Sequence, residues 1–121
     1  MKLLVTFLSL ISFCCVLNSQ DLRFKSDRLI DYGLVKAGEM VRADVLIENV
    51  SQDTLSIMRV HTSCNCTSVD YPKHVLKPGE ISTIKVIVDT KGKFGPETVV
   101  VRFLTSTSSR EKIIRVDYDV N

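Results

Sequence analysis

The chain has 121 residues, 45% of them hydrophobic, and a formal charge of +2 at pH 7. That is the length of about one domain and the composition of an ordinary globular protein, which excludes wholesale disorder and collagen-like repetition. Its 16 Lys and Arg are interspersed with 14 Asp and Glu rather than gathered on one face, so no electrostatic footprint for nucleic acid is present in the sequence.

The first stretch, MKLLVTFLSLISFCCVLNSQ, joins one lysine to an apolar run from Leu3 to Leu17 and a small polar exit. This is the pattern of a secretory signal peptide over residues 1–19, with cleavage expected after Ser19. The run is shorter than the roughly 20 residues needed to cross a bilayer as a helix, so no transmembrane helix is expected in the mature chain. Lipid anchoring at Cys14 or Cys15 is disfavoured because the residue before a lipidated cysteine is normally small, and here it is Phe13 or Cys14. Processing leaves Cys64 and Cys66 as the thiols of a single domain, residues 20–121, in an oxidising compartment.

Beyond the leader every segment reads as strand. LRFKSDRLIDYGLV carries short apolar patches interrupted by Gly33. EMVRADVLIENV alternates, with Val41, Ala43, Val45 and Ile47 on one face and Arg42, Asp44, Leu46 and Glu48 on the other. SQD is a turn, TLSIMRVH a further β-rich run, and a loop with both cysteines follows. In LKPGE, Pro78 fixes φ and Gly79 suits the positive φ of a type II turn. ISTIKVIVDT is rich in β-branched residues, and KGKFGPE is expected to break the ladder. TVVVRFLTS alternates, TSTSS is a hairpin turn, and REKIIRVDYDV places Ile114, Val116, Tyr118 and Val120 on one face. About seven short strands with turns between them imply an all-β, antiparallel β-sandwich. The chain has no tryptophan, and its cysteines are too close in sequence to join distant strands, so the antibody arrangement is excluded and aliphatic packing is expected to hold the core.

The segment VHTSCNCTSVDYP concentrates the chemistry. In a flat strand residues i and i+2 lie about 6.5 to 7 Å apart at Cα, at or beyond the upper edge for a disulfide, so a Cys64–Cys66 bridge requires a bend at Asn65. Three readings stay open: two structural thiols acting as small hydrophobes, a labile and exchange-active disulfide, or a soft-metal site for copper or zinc built from Cys64, Cys66 and His61. His74 and Met58 are more distant conceivable ligands, and the usual structural-zinc spacings are absent. No cofactor is required by any other motif. The serines of LTSTSSREK lack a histidine and acid pattern, no nucleophile has a base, and Asp117 and Asp119 read as a solvated face. The sequons at Asn49 and Asn65 matter only in a eukaryotic secretory pathway.

The order DYGLVKAGEMV, ADVLIENVSQDTLSIMRVHTSCNCTSV and LKPGEISTIKVIVDTKGKFG resembles the bacterial domain of unknown function 1573 family. The resemblance rests on Tyr32 and Gly33, Val45 to Asn49, Ser63 to Thr67, Pro78, Gly79 and Glu80, and Asp89, Thr90 and Gly95. It departs at Asn65, where the family usually has glycine, and at Val45 and Ile47, where it favours phenylalanine. The resemblance implies an Ig-like sandwich related in shape to ASH/MSP/Hydin domains, exported to the periplasm or cell envelope and without an established activity. The expectation is therefore a non-enzymatic module that holds an envelope protein partner, with thiol redox or metal binding as the rival.

Overall fold

The structure, a computed structural model, describes residues 21–121; the expected leader, with Cys14 and Cys15, lies outside the described residues. The described chain is all β, with two four-stranded sheets packed face to face. The alternation of Met40–Asn49 (β3) acts as expected: Val41, Ala43, Val45 and Ile47 are buried while the residues between them face outward. Ile81–Asp89 (β6) runs antiparallel to β3 in unbroken register from Met40 opposite Asp89 to Glu48 opposite Ile81. Leu22–Phe24 (β1) and Thr67–Asp70 (β5) flank this pair, giving the order β1-β3-β6-β5.

The second sheet is built on the hairpin of Gly95–Thr105 (β7) and Ser108–Val120 (β8), with Leu29–Val35 (β2) and Ile57–Thr62 (β4) outside it, in the order β2-β8-β7-β4. Val99, Val101 and Phe103 meet Ile114, Val116, Tyr118 and Val120 on its inner face.

Three features differ from the sequence reading. There are eight strands rather than about seven, because LRFKSDRLIDYGLV divides between the two sheets. The link after β1 is held by the Lys25 N–H on the Leu46 carbonyl (2.8 Å) and the Leu46 N–H on Ser26 Oγ (2.8 Å). The sandwich is also not wholly antiparallel: β2 lies parallel to β8. Most of the chain separates these two strands, so no hairpin imposes an antiparallel pairing. Finally, KGKFGPE breaks the ladder only as far as Phe94. Gly95, at φ +79°, starts β7, and Pro96 pairs with Asp119 where the other flank of the strand is open, which a proline tolerates.

The core is aliphatic with an aromatic centre, not aliphatic alone. Phe103 is almost fully buried and meets the edge of Phe24 at 6.2 Å between ring centroids. Two buried polar residues tie loops to this core. Asn49 gives its amide to the carbonyls of Asp53 (2.8 Å) and Leu76 (3.0 Å) and accepts from the N–H and hydroxyl of Ser51. Asp21, 5% exposed, accepts from the Leu22 N–H (2.9 Å), Lys112 Nζ (3.0 Å), the Thr107 hydroxyl (2.7 Å) and the Thr105 hydroxyl. It thereby clamps the start of β1 in one sheet to the β7–β8 turn of the other. Burial works to raise its pKa, but the two hydroxyls and the Lys112 ammonium outweigh it and lower the value from 3.8 to about 2.

Candidate functional site at the Cys-x-Cys turn

Strands β4 and β5 are edges of different sheets, and Ser63 to Cys66 carry the chain from one to the other. The approach begins with a pattern that a straight strand cannot satisfy. Ile57 and Val60 both pack on the core, yet a spacing of three puts residues on opposite faces. A β-bulge resolves this: Met58 pairs with Leu104 and His61 with Arg102, leaving Arg59 and Val60 opposite Phe103 alone. Arg59 sits at φ +48°, a left-handed conformation rarely taken by a side chain of this kind. The bulge turns Val60 inward and leaves Arg59 and His61 exposed.

After the bulge, SCNCT makes a turn pinned at both ends. Ser63 gives its N–H to the Val100 carbonyl (2.9 Å) and accepts the Val100 N–H on its hydroxyl (2.9 Å), fastening the entry to β7. The Thr62 hydroxyl donates to the Cys64 carbonyl (2.8 Å), and the Thr67 N–H closes the turn on that same carbonyl (3.1 Å). The Cys66 carbonyl accepts the Asp89 N–H (3.0 Å), fastening the exit to β6. Asn65 does not take a positive φ, so the bend is a turn of negative φ rather than the left-handed one that the missing family glycine suggests.

This turn brings the Cα atoms of Cys64 and Cys66 to 5.1 Å, and the two sulfurs are joined in a disulfide. The Cys66 N–H donates to Cys64 Sγ (3.2 Å), and Thr67 Oγ1 lies 3.7 Å from Cys66 Sγ. Both cysteines are half-buried and packed against the core, while Asn65 is exposed at the tip. Beside them a shallow depression of about 430 Å³ opens to solvent, with Val60, His61, Asn65 and Tyr71 in its wall.

With the sulfurs joined, neither offers a thiolate to copper or zinc. His61 borders the depression, but among the described residues no three His, Cys, Asp or Glu side chains stand close enough to share an ion. Met58 is exposed on β4, and His74 pairs instead with Glu80 at 2.8 Å. That contact, with the Lys77 N–H, holds the Glu80 carboxyl below its ordinary range. Asp117 accepts from Thr98 (2.6 Å) and Arg115 (3.1 Å) on a solvated face.

The remaining residues singled out in the sequence shape turns. The Glu80 N–H returns to the Lys77 carbonyl (2.9 Å) around Pro78 and Gly79, whose φ of +81° gives the type II turn. Gly33, at φ +83°, follows a bulge that leaves Tyr32 unpaired in β2. Asn49 is the buried hub of the Ser51–Asp53 turn, which removes its sequon from the surface. Arg59 and Asp21 were not legible as important. The three-residue spacing of Ile57 and Val60 signals the first, and nothing local signals the second.

The family model described as a protein of unknown function (DUF1573) matches residues 22–120. Among curated proteins, none matches the chain. Among solved structures, a protein of unknown function from Porphyromonas gingivalis W83 is similar with a TM-score of 0.67 and 18% identity, over 81% of this chain and 46% of that one. The VesB protease of Vibrio cholerae is similar with a TM-score of 0.63 and 20% identity, over 82% of this chain and 32% of that one. The ASH/PapD-like domain 7 of human CEP192 gives 0.62 and 7%, over 84% and 85%. The chain thus spans just under half of the first and about a third of the second, and at these identities the likeness concerns fold.

Proposed function

We propose, for a chain that belongs to the DUF1573 family, a non-enzymatic binding or assembly role at the bacterial cell envelope, in which the domain holds an extended segment of a protein partner along a sheet edge. The observation that supports this reading is the character of β2. It is an edge strand, and Leu29 (60% exposed), Tyr32 (43%) and Leu34 (74%) present apolar side chains along it. Exposed edges are ordinarily blunted by lysine, proline, other charges or a bulge; β2 has one charge, Asp31, and the bulge at Tyr32, but no lysine or proline, and its other exposed side chains are apolar. A partner segment laid beside such an edge gains main-chain hydrogen bonds, and the projecting apolar side chains select its sequence.

The test is retention from the organism's own envelope fraction on immobilised residues 20–121. A polypeptide held by the wild type and by Leu46→Lys, which alters the outer face of the other sheet, is expected to be lost from Leu29→Lys/Leu34→Lys. Far-UV circular dichroism verifies that each variant is folded. Retention that is insensitive to the β2 substitutions, or absent from the wild type, overturns the reading.

A further inference from the structure

The Cys64–Cys66 disulfide closes a ring across one residue. In the chain-entropy view of cross-links, stabilisation grows with the length of the closed loop, so this bridge restrains the unfolded chain very little. Nor does it hold the folded turn in place. Ser63 is fastened to β7 by two hydrogen bonds, Cys66 to β6 by one, and the Cys64–Thr67 turn is closed by its own backbone contact. None of these contacts uses a sulfur atom. A bridge with so little structural work, at a half-exposed turn beside an open depression, has the features of a bond that is made and broken.

We infer that Cys64 and Cys66 form a thiol–disulfide exchange site that oxidises a dithiol-bearing protein partner, with Cys66 as the sulfur attacked and Cys64 as the sulfur released. The asymmetry follows from the surroundings of each sulfur. Cys64 Sγ accepts the Cys66 N–H at 3.2 Å, whereas Cys66 Sγ has only the Thr67 hydroxyl at 3.7 Å, and the closer, fixed backbone donor stabilises a thiolate on Cys64 and makes it the better leaving group. In the first step a partner thiolate attacks Cys66 Sγ, the Cys64–Cys66 bond breaks, and its electron pair departs on Cys64, which then takes a proton from solvent. In the second, the partner's other thiol gives up its proton and attacks the partner's own sulfur in the mixed disulfide. Cys66 is released as a thiolate beside the Thr67 hydroxyl and is protonated in turn. Two electrons and two protons pass from the dithiol to the cysteine pair, and the partner leaves as a disulfide. The depression bordered by Val60, His61, Asn65 and Tyr71 adjoins the turn through Asn65, between the two cysteines, and leaves room for the partner's chain during the mixed disulfide.

The experiment uses residues 20–121 with glutathione as the probe. In glutathione buffers that leave structural disulfides oxidised, the wild-type pair is expected to convert to two thiols. Acid quenching after short exposure, followed by thiol labelling and peptide mass mapping, is expected to find glutathione on Cys66 and the label on Cys64, in roughly ten-fold excess over the reverse. Cys64→Ser/Cys66→Ser is expected to melt close to the wild type and to keep whatever partner the β2 edge retains, which separates this inference from the edge reading. A pair that stays oxidised in those buffers overturns the proposal, as does a double variant that no longer folds. Glutathione found mainly on Cys64 overturns the assigned direction.

Discussion

Asp21 offers the sharpest test of the physical account. Its carboxylate is buried at the seam between the sheets and receives four donors, one of them the Lys112 ammonium at 3.0 Å. Burial opposes ionisation, but the Thr105 and Thr107 hydroxyls and Lys112 outweigh it and lower its pKa from 3.8 to about 2. A drop of that size corresponds to about 2.5 kcal/mol at ~1.36 kcal/mol per unit. Because the native state holds this proton less tightly than the unfolded chain, the contribution is fully present above the unfolded value. It is lost as the pH falls from about 4 through about 2. Asp21→Asn keeps the shape and removes the titration. At neutral pH it leaves Lys112, whose side chain is only 18% exposed, without its partner. Urea denaturation followed by circular dichroism, at intervals from pH 7 to pH 1.5, should find the variant less stable than wild type at neutral pH. That gap should shrink by about 2.5 kcal/mol by the acid end. A gap that stays constant to within about 0.5 kcal/mol would refute the claim that hydrogen bonds and Lys112 outweigh burial at this carboxylate.

Asn49→Ala removes the donor to two carbonyls and the acceptor for Ser51, and should destabilise the domain by about 3 kcal/mol in the same denaturation assay, since each buried group left unpaired costs roughly 1–3 kcal/mol. Phe103→Ala empties the centre of the core and should cost about 3–5 kcal/mol, with a lower urea midpoint as the readout. Arg59→Gly relieves a left-handed conformation worth roughly 1–2 kcal/mol and adds about 0.5–1 kcal/mol of backbone entropy in the unfolded chain, so the thermal midpoint should hold or rise. Arg59→Val, β-branched at the same φ, should lower it; the opposite order would mean that the bulge is not held as described.

The sandwich was legible where alternation is strict. In β3 and β8 the buried residues are those that the period of two selects, and the Pro78–Gly79 turn follows from the two residues that build it. What escaped was settled by contacts between residues distant in sequence. The division of LRFKSDRLIDYGLV into strands of different sheets depends on β3 and β8, which come later in the chain. The Asp21 clamp joins residues more than 80 positions apart, and a lone aspartate before a short strand has no pattern of its own. At the candidate site the sequence located the cysteines and the need for a bend. It left the form of the bend open, because the negative-φ turn is held by contacts of Ser63 with β7 and of Asp89 with Cys66, while the left-handed residue is Arg59 in the preceding strand.

The Asp21 clamp also bears on how the domain would carry a pulling force. Asp21 is held beside Lys112, near the start of β8, whereas the Asn121 N–H is bonded to the Val35 carbonyl beyond its end. At roughly 3.4 Å per residue these anchor points lie about 30 Å apart along the strand. Tension between the two would run along the strands and load the β2–β8 and β1–β3 hydrogen bonds in shear, all at once, instead of peeling them apart one by one.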